Sequence, residues 1–69
     1  MSLSIRNQIP GTVTAVTPGA VMATVKVRLD GGQDLTAAIT KDAVGDLGLR
    51  NGSPVVALIK STEVSLAIV

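Results

Sequence analysis

The stretch V-M-A-T-V-K-V-R-L, Val21 to Leu29, followed by D-G-G, Asp30 to Gly32, and Q-D-L-T-A-A-I, Gln33 to Ile39, decides what fold this chain adopts. Val21, Ala23, Val25, Val27 and Leu29 share one parity, while Met22, Thr24, Lys26 and Arg28 share the other. Successive side chains of a strand point to opposite faces, so this alternation is the pattern of a half-buried strand. Asp30, Gly31 and Gly32 tolerate positive φ and reverse the chain. Leu35, Ala37 and Ile39 then resume the inward parity. The stretch predicts a β-hairpin.

Working outward, G-T-V-T-A-V-T, Gly11 to Thr17, is another strand, preceded by Pro10 and closed by T-P-G at Thr17 to Gly19. After the hairpin, T-K-D-A-V-G-D-L-G-L breaks the period of two. Thr40 is a helix cap, Asp42 falls in the first turn, Val44 and Leu47 lie three apart, and Gly48 ends the segment. One or two helical turns fit. R-N-G-S-P is a turn, and V-V-A-L-I-K and E-V-S-L-A-I-V read as the last two strands, joined by Ser61 and Thr62. The sum is an all-β chain: an OB-like, five-stranded small barrel with one short helix between strands 3 and 4. A curled sheet of this kind removes its own exposed edges. No linker or repeat divides residues 1–69, which predicts a single domain.

Composition narrows the function. The chain has 69 residues, no Cys, no His and no aromatic residue. A domain this small buries only ~60% of the surface its unfolded chain exposes and needs reinforcement. Without Cys or His, disulfides and the usual transition-metal ligand sets are absent. Association with other copies is the remaining route. It also suits a chain that is 46% hydrophobic and only 16% charged. Catalysis lacks an evident acid–base pair among the carboxylates Asp30, Asp34, Asp42, Asp46 and Glu63: Asp30 reads as a turn residue, Asp42 as a helix-start charge, and Asp46 and Glu63 as solvated. Single-stranded nucleic acid is disfavoured because the aromatic stacking platform is missing. A net charge of +1 does not suit a polyanion. No apolar run is long enough to span a membrane, and M-S-L-S-I-R-N-Q has no apolar signal region, so a cytoplasmic protein is expected.

What remains is a set of hydrogen-bond donors. Ser4, Arg6, Asn7 and Gln8 lie near the start; Lys60, Ser61 and Thr62 follow the apolar run P-V-V-A-L-I; Thr40 opens the helix, where free N–H groups gather. Taken singly, each has an ordinary explanation: a surface charge, a turn hydroxyl, a helix cap. Together they describe an anion site, and Arg6 and Lys60 match a dianion if they converge.

The same residues carry a resemblance. S-I-R-N-Q-I-P-G-T-V (Ser4–Val13), G-A-V-M-A-T-V-K-V (Gly19–Val27), A-A-I-T-K-D-A-V-G-D-L-G-L (Ala37–Leu49) and V-A-L-I-K-S-T-E-V (Val56–Val64) resemble the Mop, or molbindin, domains. These are small molybdate-binding proteins related to the TOBE domains of transport ATPases and molybdate-responsive regulators. The resemblance implies an OB-like barrel, assembly as a homohexamer built as a trimer of dimers, and molybdate or tungstate held at subunit interfaces. The implied role is intracellular molybdenum storage, with an oxyanion-sensing module acting on a transporter or regulator as the alternative. Carried over, the oxyanion contacts fall on Ser4, Arg6, Asn7, Thr40, Lys60 and Ser61, from more than one chain. A second site is implied at the backbone of Gly19, Ala20 and Val21. No protein metal ligand is required, because molybdenum arrives wearing its own oxygens.

Overall fold

The hairpin is present in the register that alternation demands. A computed structural model describes residues 3–69; Met1 and Ser2, the first two residues of the expected domain, lie outside the described residues. Strands β1 (Asn7–Pro18), β2 (Met22–Leu29) and β3 (Asp34–Thr40) lead into helix α1 (Lys41–Leu47), and β4 (Pro54–Ile59) follows. Val27 faces Leu35, Val25 faces Ala37 and Ala23 faces Ile39, so inward residues meet inward residues across β2 and β3. Gly32, at φ 98°, provides the reversal. All pairings are antiparallel and the sheet order is β3-β2-β1-β4. Val13, Val25 and Val27 form the buried centre, and Val44 of α1 and Leu49 beyond it cover one end. The short helix therefore sits between the third and fourth strands, as its capping pattern predicts. Thr40 accepts a hydrogen bond from the Ala43 N–H, and Gly48 closes α1 in the left-handed conformation.

β1 is longer than its β-branched run suggests and begins before Pro10. Proline lacks an N–H and is normally confined to strand edges. The register explains the exception: residues 7–10 pair only with β4, and the ladder to β2 starts at Gly11. On that side the Pro10 carbonyl accepts from the Asp30 N–H, so the missing donor breaks no ladder bond. Gly11 is needed where the strands close up, because a Cβ there would sit 2.7 Å from the Arg28 carbonyl oxygen and 2.8 Å from Val27 Cγ1. Farther along, Thr14 is an extra residue between Val13 and Ala15, a bulge that resets the parity. Val13 is buried, Ala15 exposed, and Val16 turns back towards the core.

The fifth expected strand is not in the sheet. After β4 a single 3₁₀ turn, Ser61–Glu63, leads into Val64–Val69, which forms no strand pairing and is exposed throughout. Leu66 and Ile68 are 93% and 101% exposed. The cause lies in the connection. A two-residue hairpin loop requires positive φ, and no residue from Lys60 to Glu63 has it. The barrel is consequently open between β3 and β4, with an apolar groove of about 540 Å³ lined by residues including Leu35, Ala37, Ile39, Val55 and Ala57. The chain exposes 5311 Å², against about 4,000 Å² expected for a compact monomer of 7.0 kDa.

Candidate functional site

The sheet has two ends, and the candidate residues divide between them. At the first end Asn7 pairs with Ile59, the last step of the β1–β4 ladder. One residue beyond that pair the two strands deliver Arg6 and Lys60, with Ser4 upstream and Ser61 downstream, all exposed. Neither cation forms an ion pair among the described residues; Arg28 with Asp34 is the pair present there. Asp34 holds the Arg28 guanidinium pKa above its usual value, by hydrogen bond first and charge second. Lys26 is likewise engaged, donating to Thr36 Oγ1 at 2.9 Å. Two basic side chains are therefore satisfied on the outer sheet face, while Arg6 and Lys60 stand together without a carboxylate.

Asn7 has a different task. Its Nδ2 donates to the Ile59 carbonyl at 3.0 Å, stitching the ladder end together. Gln8 Nε2 donates to the Ile5 carbonyl at 2.8 Å and fixes the course of the segment that carries Arg6. The turn after Lys60 is held by the Glu63 N–H on the Lys60 carbonyl, 2.9 Å, and the Val64 N–H on the Ser61 carbonyl, 3.4 Å. The Ser4 and Ser61 hydroxyls have no protein hydrogen-bond partner among the described residues and are available as donors.

Thr40 is not with them. It pairs with Met22 at the opposite end of the β2–β3 ladder. The ladders set it apart from Lys60 along β1: Met22 lies one residue from Ala23, the partner of Pro18, while Lys60 lies one residue past Ile59, the partner of Asn7. There it lies beside the Gly19–Val21 turn, joined through the Lys41 N–H to the Val21 carbonyl at 2.7 Å. Gly19 is held in that turn by its own N–H on the Met22 carbonyl, 2.7 Å, so close that a Cβ would strike the same oxygen. The N–H groups of Ala20 and Val21 reach no backbone acceptor among the described residues. Thr40 Oγ1 already accepts from Ala43, which leaves its hydroxyl proton free to be donated elsewhere. Lys41 is a residue that motif reading passes over: an exposed cation at this second end with no ion-pair partner among the described residues. Its signal was its position directly after a cap, next to free amides.

One chain thus presents Ser4, Arg6, Lys60 and Ser61 at one end, and Thr40, Lys41 and the Ala20 and Val21 amides at the other. Both groups are donors, which suits a ligand whose surface oxygens only accept. Among the described residues no group of three or more His, Cys, Asp or Glu gathers to hold a metal ion, and no helix is long and apolar enough to cross a membrane. The arrangement defines a class: a small, open, OB-like β-barrel that displays hydrogen-bond donors at the two ends of its sheet.

Comparison with known proteins names the family. The TOBE domain model matches residues 3–66, and the chain belongs to that family, among its small Mop proteins. It is 44% identical over 66 residues to molybdenum-pterin-binding protein 3 of Clostridium pasteurianum, covering 96% of this chain and 97% of that relative. The molybdate-binding protein of Sporomusa ovata has the same fold, with a TM-score of 0.94 and 41% identity over 99% of this chain and all of the other. The cytoplasmic molybdate-binding protein ModG, solved with molybdate bound, gives a TM-score of 0.85 and 44% identity, over 88% of this chain and 43% of its own length. The resemblance read from the four sequence blocks and the OB-like fold class are both borne out.

Proposed function

We propose that this protein binds molybdate, and tungstate with it, at interfaces between copies of a homo-oligomer, a hexamer built as a trimer of dimers, and acts as an intracellular store of molybdenum without a catalytic step. Residues 1–69 act as one Mop domain. The observation that carries the reading is the convergence of Arg6 and Lys60 at one ladder end, exposed and without a carboxylate partner. Relatives described as molybdate-binding, one of them as cytoplasmic, support the ligand and the compartment.

The chemistry follows from the anion. Molybdate is a tetrahedral dianion whose oxygens accept hydrogen bonds and donate none, so its site supplies donors and offsets two charges. Arg6 and Lys60 provide charge-assisted bonds of roughly 1.5–3 kcal/mol each, and the Ser4 and Ser61 hydroxyls add neutral ones. Asn7 contributes by fixing the ladder end and retains one amide proton to donate. Thr40 stands at the far end of its own sheet, so a pocket that joins it to Lys60 takes them from different copies. At the second site, expected at Gly19, Ala20 and Val21, the Ala20 and Val21 amides are the donors, and Gly19 turns the chain that presents them. Several such bonds give about 8 kcal/mol, micromolar binding, after ordering costs.

The test is titration calorimetry with sodium molybdate on the Arg6→Met, Lys60→Met double variant. Loss of two charge-assisted bonds predicts affinity at least ~100-fold weaker, with the oligomer still assembled. Unchanged affinity removes both residues from the site.

A further inference from the structure

The turn that launches β4 holds a reactive pair of residues with no part in the oxyanion site. Arg50 to Ser53 close that turn, the Ser53 N–H donating to the Arg50 carbonyl and the Arg50 N–H to Ser53 Oγ, both at 3.0 Å. Asn51 and Gly52 occupy its two central positions, and Gly52 takes φ 95°, a conformation suited to glycine. Asn51 is exposed, and its carboxamide has no protein hydrogen-bond partner among the described residues. The other asparagine, Asn7, is placed differently. Its Nδ2 donates to the Ile59 carbonyl, and the side chain of the next residue, Gln8, shields the following amide. At Asn51 a free carboxamide stands beside a backbone nitrogen that no side chain shields. In this fold, however, that nitrogen is engaged. The Gly52 N–H donates to the Val13 carbonyl at 2.8 Å, and the Val13 N–H donates to the Ser53 carbonyl at 2.9 Å. Val13 lies at the buried centre of the core.

We propose that Asn51–Gly52 is a deamidation site latched by the Gly52–Val13 hydrogen bond, so that it reacts when the turn lifts from β1. The Gly52 nitrogen gives up its proton to solvent base and attacks Cγ of Asn51. The N–Cγ bond forms, the Cγ–Nδ2 bond breaks, and Nδ2 leaves as ammonia, protonated by solvent. Water then opens the five-membered imide at either carbonyl. Opening at Cγ leaves aspartate. Opening at the Asn51 backbone carbonyl carbon leaves isoaspartate, with the main chain rerouted through Cβ and Cγ. In sum a water enters, an ammonia leaves and nothing is oxidised or reduced. The latch acts at the first step, because a proton held on the Val13 carbonyl is withheld from base. Local opening of the turn sets the rate. The imide nitrogen carries no proton, so the Val13 carbonyl loses its partner as the ring closes. Isoaspartate regains the N–H but lengthens the main chain by a methylene inside a turn closed by short hydrogen bonds. Gly52 and Ser53 then no longer meet Val13 together, and β4 loses its anchorage beside the core.

The test compares the folded and the unfolded chain. The full-length protein is incubated at one neutral pH with and without urea sufficient to unfold it, and position 51 is followed by peptide mapping with mass spectrometry. Isoaspartate is expected to accumulate in both, at least ~10-fold more slowly in the folded chain. An equal or faster rate in the folded chain removes the latch. Absence of isoaspartate at position 51 in urea removes the site. The isoaspartate form, separated by ion exchange and refolded, is then compared with Asn51→Asp, which carries the same charge without the extra methylene. Its melting temperature is expected to be roughly 4–8 °C lower by thermal circular dichroism. Equal melting temperatures overturn the loss of anchorage.

Discussion

β4 and the C-terminal arm are two six-residue segments of similar composition with opposite fates. P-V-V-A-L-I lies in the sheet, pairing from Asn7↔Ile59 to Thr12↔Pro54. V-S-L-A-I-V stands in solvent, with Val69 123% exposed. Both have the alternation and the aliphatic content of a strand. The difference is in what precedes them. β4 follows a turn in which Gly52 takes φ 95° and Arg50 and Ser53 are joined by hydrogen bonds. The arm follows Lys60-Ser61-Thr62-Glu63, which has neither a glycine nor a left-handed residue. Side-chain pattern suits a segment to a strand; the connection decides whether it joins its own sheet.

The largest effects fall where the sheet is already complete. Val13 is 1% exposed at the centre of the core. Val13→Asp buries an unpaired charge, a cost of several kcal/mol against a total stability of about 5–15 kcal/mol, and is expected to abolish the β-sheet signal in circular dichroism. The equivalent insult to the arm is expected to behave differently. Ile68→Asp is expected to leave the sheet spectrum intact, because the side chain meets nothing within its own chain. If Ile68→Asp unfolded the chain as thoroughly as Val13→Asp does, the contrast between the two segments would disappear.

Smaller effects sharpen the comparison at the sheet ends. Lys60→Met alone removes one charge-assisted bond of ~1.5–3 kcal/mol, so molybdate affinity measured by calorimetry is expected to fall roughly 10- to 150-fold while assembly persists. Thr40→Val removes the acceptor for the Ala43 N–H, worth ~1 kcal/mol. That corresponds to a melting temperature about 4–8 °C lower in a domain of this size, read by thermal circular dichroism.

How much of this was legible in the sequence follows the range of the interactions. The β2–β3 hairpin, the helix with its Thr40 and Gly48 caps, and the β4 strand are written in local period and turn chemistry, and the structure has each of them. β1 was legible only from Gly11 onward, because Pro10 reads as a strand breaker unless the offset between the β2 and β4 ladders is known. The Thr14 bulge was hidden by a run of β-branched residues whose parity shift looks like noise. The arm reads as a strand and is extended, yet its partner cannot be written in its own period. The same limit applies to the site. Arg6 and Lys60 are 54 positions apart, and only the Asn7↔Ile59 pairing brings them together. Thr40, chosen with them for its chemistry, belongs to the other end. Lys41 follows a cap, but the free amides that give the position meaning belong to the Gly19–Val21 turn and come beside it only in the fold.

The claim on which the rest depends is that no single copy owns a complete oxyanion site. Native mass spectrometry of the intact protein with sodium molybdate tests it most directly, by reporting chains and bound ions in one spectrum. The expected result is molybdate on multi-chain species only, lost in step with their dissociation into single chains. Molybdate retained by a single chain contradicts the account.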